Sequence, residues 1–255
     1  MRYLFVFLSL LLGINSSAQE IKTAFIKSFP LKADTYYGTD AFENVYYGIN
    51  DVLYKKTPTK TYQYNNLALG SISSVSIFNP LELVVFYKDF NSVIILDNTL
   101  NPIQKLSFLD KNISLVAKAG KNRLWLYNTD VQQLELYNYK TKSVLAKSQP
   151  QSLLDPKEMS GNANYVWIKT ASNTIKVFNI YGSEVTEIKK QIDVFAISKS
   201  GVIIFKSGNE LYSKSEKTQK IELNQNINIK YLSVVDNNLY FFDGNILFTF
   251  KILKI

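Results

Sequence analysis

The chain has 255 residues, a formal net charge of +8 at pH 7, 46% hydrophobic and 14% aromatic residues, no histidine and no cysteine. Lack of histidine excludes a Ser-His-Asp triad, an imidazole base and histidine metal ligation. Lack of cysteine excludes thiol catalysis, disulfides and ordinary structural zinc sites, so any catalysis would rest on Asp, Glu, Tyr or Lys.

The chain opens with the layout of an export signal. Arg2 supplies the basic start, Leu4 to Ile14 the apolar stretch and Ser16-Ser17-Ala18 a small-residue cleavage site. That stretch is shorter than the roughly 20 residues that span a bilayer, and no later run is long enough either. The expectation is a signal peptide over 1–18, cleavage after Ala18, and one domain over 19–255. That domain is expected in the periplasm, in association with the outer membrane and without a transmembrane segment.

Ile21 to Phe29 reads as a lone strand, and the first full repeat begins near Lys32. Short apolar, aromatic-rich runs then begin at Val45, Val84, Leu124, Val166, Val202 and Leu239, spaced by 39, 40, 42, 36 and 37 residues. A period near 40 built from short strands is the sequence signature of a β-propeller.

The third repeat resolves into strands over Ser114 to Ala119, Arg123 to Tyr127, Gln132 to Tyr139 and Ser143 to Lys147, joined by short Gly/Asn/Asp/Lys turns. The last repeat holds only three: Tyr231 to Val235, Leu239 to Phe242 and Ile246 to Leu253. A lone strand in front and three behind predict closure of a ring, which removes two exposed sheet edges at once. The predicted fold is therefore all-β: a six-bladed β-propeller of four-stranded antiparallel blades, closed by pairing the N-terminal strand with the C-terminal blade. An open solenoid or a sandwich fits 40-residue, four-strand units less well. Helix is expected at most as one turn within Pro150 to Ser160, inside the longest insertion, Gln149 to Gly161. Trp125 and Trp167 hold equivalent places in two repeats, which favours packing over ligand stacking.

The basic charge has a compositional explanation in the joint excess of Lys, Asn, Ile and Tyr. The lysines are scattered, and Arg123 is the only arginine beyond Arg2. Phosphate and base-edge recognition lean on arginine's planar fork, so no nucleic-acid partner is expected. Aspartates at turns, including Asp89, Asp130 and Asp243, suit the backbone bonds that turns need. Neither they nor Asp155 and Glu158 form a calcium or catalytic pattern, so no cofactor, metal or catalytic residue is assigned. The turns between second and third strands and the links between blades gather on one face of such a disc. The candidate protein interface is accordingly Lys88, Asp89, Phe90, Asn128, Asp130, Leu153, Asp155, Lys157, Asp243 and Asn245.

Three stretches carry a resemblance to a known family: Leu81-Glu-Leu-Val-Val-Phe-Tyr-Lys-Asp-Phe-Asn-Ser-Val-Ile-Ile-Leu-Asp-Asn, Leu124-Trp-Leu-Tyr-Asn-Thr-Asp-Val-Gln-Gln-Leu-Glu-Leu-Tyr and Val177-Phe-Asn-Ile-Tyr-Gly-Ser. With the Ser-Ser-Ala-Gln-Glu end of the signal, the chain resembles small exported propellers of bacteria that use type IX secretion. The resemblance implies a protein-interaction subunit at an outer-membrane translocon, with the subunit that plugs its periplasmic mouth as one assignment. It supplies no catalytic residues. The leading reading is thus a non-enzymatic periplasmic propeller that binds a translocon component. The alternatives are a glycan-binding or carbohydrate-active propeller using Asp, Glu and Tyr, and a scaffold held to anionic envelope polymer by its lysines.

Overall fold

The computed structural model describes residues 20–151 and 155–253. The expected signal peptide and Leu153 lie outside them. Among the described residues the regular structure is strand, apart from a 3-10 turn at Leu67–Leu69.

The chain enters as β1 (Ile21–Pro30) and then builds four separate four-stranded antiparallel sheets. The first holds β2 (Thr35–Thr39), β3 (Val45–Ile49), β4 (Val52–Lys56) and β5 (Thr61–Tyr64). The second holds β6 (Ser74–Ser76), β7 (Leu83–Tyr87), β8 (Ser92–Leu96) and β9 (Pro102–Ser107). The third holds β10 (Ile113–Lys118), β11 (Arg123–Asn128), β12 (Gln133–Asn138) and β13 (Ser143–Lys147). The fourth holds β14 (Glu158–Gly161), β15 (Tyr165–Lys169), β16 (Ile175–Asn179) and β17 (Glu184–Ile188). The remaining strands are β18 (Val194–Ile197), β19 (Ile203–Ser207), β20 (Glu210–Lys214), β21 (Thr218–Glu222), β22 (Tyr231–Val235), β23 (Asn238–Phe242) and β24 (Ile246–Ile252).

These last strands correct the expectation of six separate four-stranded blades. They form one eight-stranded sheet in the order β18-β19-β20-β21-β1-β24-β23-β22, beside the four separate sheets. The cause is β1, which pairs on both sides. It runs antiparallel to β24 from Thr23↔Ile252 to Pro30↔Ile246, with a bulge between Phe25 and Lys27. It also runs parallel to β21 at Ile21↔Ile221 and Lys22↔Glu222. The N-terminal strand therefore meets the C-terminal strands as expected, and in addition welds them to β18–β21. The helical turn expected within Pro150 to Ser160 is not found among its described residues, and Glu158–Gly161 is strand β14.

The apolar runs set the packing. All of β7 and β8 is buried, because these middle strands are covered by neighbouring sheets on both faces. Val84, Phe86 and Ile95 of the second sheet pack with Val116, Leu124 and Leu126 of the third. Trp125 and Leu136 pack with Val166 and Phe178 across the next seam. Leu31, Tyr36 and Val45 meet Tyr240, Phe242 and Leu247, which brings the last strands back to the first sheet. The first strands β2, β6, β10, β14, β18 and β22 touch in succession, and β22 touches β2. The result is a closed all-β propeller. Each buried Phe or Leu in these seams stabilises it by about 2 kcal/mol relative to exposure.

Strand direction alternates within each unit. Second-to-third-strand turns and the links between units therefore emerge on one face, called here the linker face.

Candidate functional site

Four large apolar side chains stand in water on three adjoining units of the linker face. They are Leu67 (90% exposed), Phe90 (54%), Leu109 (96%) and Val131 (46%). Each sits on a turn or link that its neighbours hold in place.

Phe90 tops the β7–β8 turn, which closes with the Asn91 N–H donating to Lys88 O at 2.9 Å. Asn91 lies at φ 46°, a left-handed conformation that asparagine tolerates. Its side chain fastens this turn to the next link. Nδ2 donates to Phe108 O at 2.6 Å and to Lys111 O, while Oδ1 accepts the Ile113 N–H at 3.0 Å. Leu109 rides on that link. Its far end is tied to the β11–β12 turn, where Asp130 accepts the Asn112 N–H at 2.8 Å and the Asn112 amide at 2.7 Å. Val131 follows Asp130 directly. On the other side, a Cβ built on Gly70 would lie 3.7 Å from Phe90 Cε2, which places the Leu67–Leu69 turn against Phe90. Ser71 Oγ donates to Asp51 Oδ2 at 3.2 Å and anchors the end of that link.

Beside this belt opens a cavity of about 470 Å³, lined in part by Lys88, Asp89, Ser114, Tyr127, Thr129 and Asp155. The Ser114 hydroxyl is enclosed and has no hydrogen-bond partner among the described residues. Underneath, the nearly inaccessible Glu135 carboxylate meets Lys111 Nζ at 2.9 Å, Lys147 Nζ at 3.6 Å and Asn128 Nδ2 at 3.2 Å. A second cavity, of about 620 Å³, opens on the same face among Asn209, Glu210, Lys220, Glu222, Asn226 and Asn228.

Several interface residues expected from the sequence gather here. Lys88, Asp89 and Asp155 line the first cavity, and Phe90 is in the belt. Lys157 is exposed and pairs with Asp155, whose carboxyl this cation holds below the usual range. Asn128 is buried and serves the turn: its Oδ1 accepts the Asp130 N–H at 3.1 Å. Asp130 is exposed, and its bonds from Asn112 keep its pKa low. Asp243 is engaged by the Asn245 and Ile246 N–H groups, and Asn245 O accepts the Leu31 N–H at 2.8 Å. Those two residues belong to the β23–β24 turn in the eight-stranded sheet, outside the three units that carry the belt. Sequence reasoning missed Leu67, Leu109 and Val131; Val131 carries a signal, as a large apolar residue inside an otherwise polar turn, whereas Leu67 and Leu109 stand beside other apolar residues that are buried, Leu69 and Phe108.

The perturbed titratable groups away from the belt include Lys118 and Glu158. Lys118 is fully buried, with Nζ 2.6 Å from Glu82 and 3.0 Å from Tyr139 Oη; burial pushes its pKa down and Glu82 props it up. Glu158, placed by sequence in a long loop, instead starts the first strand β14. Solvent reaches its side chain, yet protein surrounds the carboxyl closely enough to push its pKa up to about 7, against the pull of Lys169. Among the described residues no three acidic groups converge as a metal site. No helix among them is long and apolar enough to cross a membrane.

No family model matches the chain, and no curated protein matches it. Solved structures do. Virginiamycin B lyase from Staphylococcus aureus superposes with a TM-score of 0.60 at 10% identity, over 84% of this chain and 79% of that one. The β-propeller domain of Myceliophteria thermophila Cps50 (Swd1) gives 0.63 at 9% identity, over 91% and 100%. BamB from Moraxella catarrhalis gives 0.50 at 12% identity, over 82% and 69%. An enzyme thus stands beside a propeller domain of no stated activity, at identities too low to carry function. What these likenesses establish is the fold: the chain is a β-propeller.

Proposed function

We propose that this chain is a non-enzymatic protein-interaction subunit that docks its partner on the linker face. The finer assignment is a periplasmic component of outer-membrane export machinery, with the plug of a type IX translocon as its specific form. The observation that carries the reading is the belt of Leu67, Phe90, Leu109 and Val131. Scattered apolar residues on a surface are ordinary, whereas a run of them on interlocked loops beside a cavity marks a contact surface. The glycan reading has less support, because Tyr127, the aromatic in the cavity lining, is 2% exposed and offers a sugar no free ring face.

The test is affinity purification of the tagged full chain from membranes of its own source. An outer-membrane protein is expected in stoichiometric amount, and F90D with L109D should reduce its recovery at least tenfold while leaving the melting temperature unchanged. Recovery of the chain alone from the wild type would overturn the proposal.

A further inference from the structure

The belt's charge runs against that of the chain. On a chain of net charge +8, five exposed aspartates border the four apolar side chains: Asp51, Asp89, Asp110, Asp130 and Asp155. Only Asp155 has a cation partner among the described residues, namely Lys157. Asp51 and Asp130 accept bonds from a hydroxyl and from amides, which satisfy oxygens but leave the charge in place. On the positive side, Lys111 and Lys147 share the single charge of the buried Glu135, and Lys88, which has no ion pair among the described residues, helps to hold the Asp155 pKa down. The five aspartates and Glu135 still outnumber the four lysines Lys88, Lys111, Lys147 and Lys157.

We infer that the occupant of this belt is a cationic protein segment, with apolar side chains for Leu67, Phe90, Leu109 and Val131 and lysine or arginine for the bordering aspartates. The inference rests on the docking proposal above and adds the chemistry of the partner. An apolar centre with a charged rim is the ordinary anatomy of a protein interface, and the rim sets which partner is accepted. An anionic bilayer, a phosphate backbone or an acidic peptide would meet like charge here. The cavity beside the belt, lined in part by Asp89 and Asp155, offers room for a side chain of that segment.

The experiment places p-benzoylphenylalanine at position 109, or at position 42 on the opposite face, in the full chain within its native cells. After irradiation, adducts are mapped by mass spectrometry. Position 109 is expected to capture a protein peptide in which Lys and Arg outnumber Asp and Glu, and position 42 to capture none. Asp89→Lys with Asp110→Lys should cut the position-109 adduct at least tenfold, and Asp89→Asn with Asp110→Asn by about threefold, with melting temperatures unchanged. An acidic or neutral peptide, a lipid or nucleic-acid adduct, or an adduct that survives charge reversal overturns the inference. An acidic peptide at position 109 would still leave the docking face standing. Absence of any protein adduct at position 109 would remove both.

Discussion

Asn91 joins two of the belt's three units, so its replacement measures how firmly the belt is built. Asn91→Ala removes the bonds to Phe108 O at 2.6 Å, to Lys111 O and from the Ile113 N–H at 3.0 Å. At about 1 kcal/mol net for each bond, the loss is about 3 kcal/mol. Alanine must also hold the left-handed φ of 46°, which costs about 1 kcal/mol more. Water reaching this partly exposed site returns some of that, so the variant should lose about 3 kcal/mol in all. For a chain of this size the melting midpoint should fall by roughly 6–12 °C. Asn91→Gly loses the same bonds without the backbone strain and should lose about 1 kcal/mol less. Urea unfolding followed by the fluorescence of Trp125 and Trp167, both buried, gives the free energies. Amide exchange at 108–113 reports the link itself and should speed up in both variants. The reasoning fails if both variants unfold within 1 kcal/mol of the wild type, or if alanine proves more stable than glycine.

Two further predictions concern the frame. A Cβ on Gly161 would sit 2.6 Å from Trp125 Cδ1 and 2.9 Å from Lys118 O, whereas one on Gly208, at φ 59°, meets nothing within 4 Å. Gly161→Ala should therefore cost about 3 kcal/mol by forcing two sheets apart, and Gly208→Ala about 1 kcal/mol from its backbone alone; equal losses in thermal melts would reject the packing argument. For Glu158, burial raises the native pKa from 4.5 to about 7, so folding favours the neutral form. Its stabilising contribution is complete below about pH 4.5 and is lost as pH rises through 7. The full shift corresponds to about 3 kcal/mol, which solvent contact reduces to about 1 kcal/mol. Glu158→Gln should thus stabilise the protein at pH 8 by about 1 kcal/mol and hardly at all at pH 4.5. A gain of the same size at both pH values would contradict this account.

The strands were legible because their signals are local. Alternation and turn chemistry lie within a few residues of each strand, and Ser143–Lys147 and Tyr231–Val235 appear with the bounds the sequence predicts. The spacing of the repeats likewise announced a propeller, and equivalent placement predicted that Trp125 and Trp167 would pack inside it.

What sequence could not settle depends on partners far along the chain. Glu135 is a charged residue in strand β12, yet it is 1% exposed, and Lys111, Lys147 and Asn128 converge on it. Gly161, placed by sequence at the end of the longest insertion, stands in β14 at the place where Trp125 leaves no room for a Cβ. The second pairing of β1, with β21 about 200 residues away, turned the expected separate blades into an eight-stranded sheet. The belt has the same origin. Leu67, Phe90, Leu109 and Val131 lie in separate loops of the sequence, and hydrogen bonds between loops of different units make them one surface. Period and composition determined the kind of fold, since they report local backbone preference and side-chain burial. Register, closure and the docking face were decided by tertiary structure, because each is a contact between segments whose separation in the chain carries no local signal.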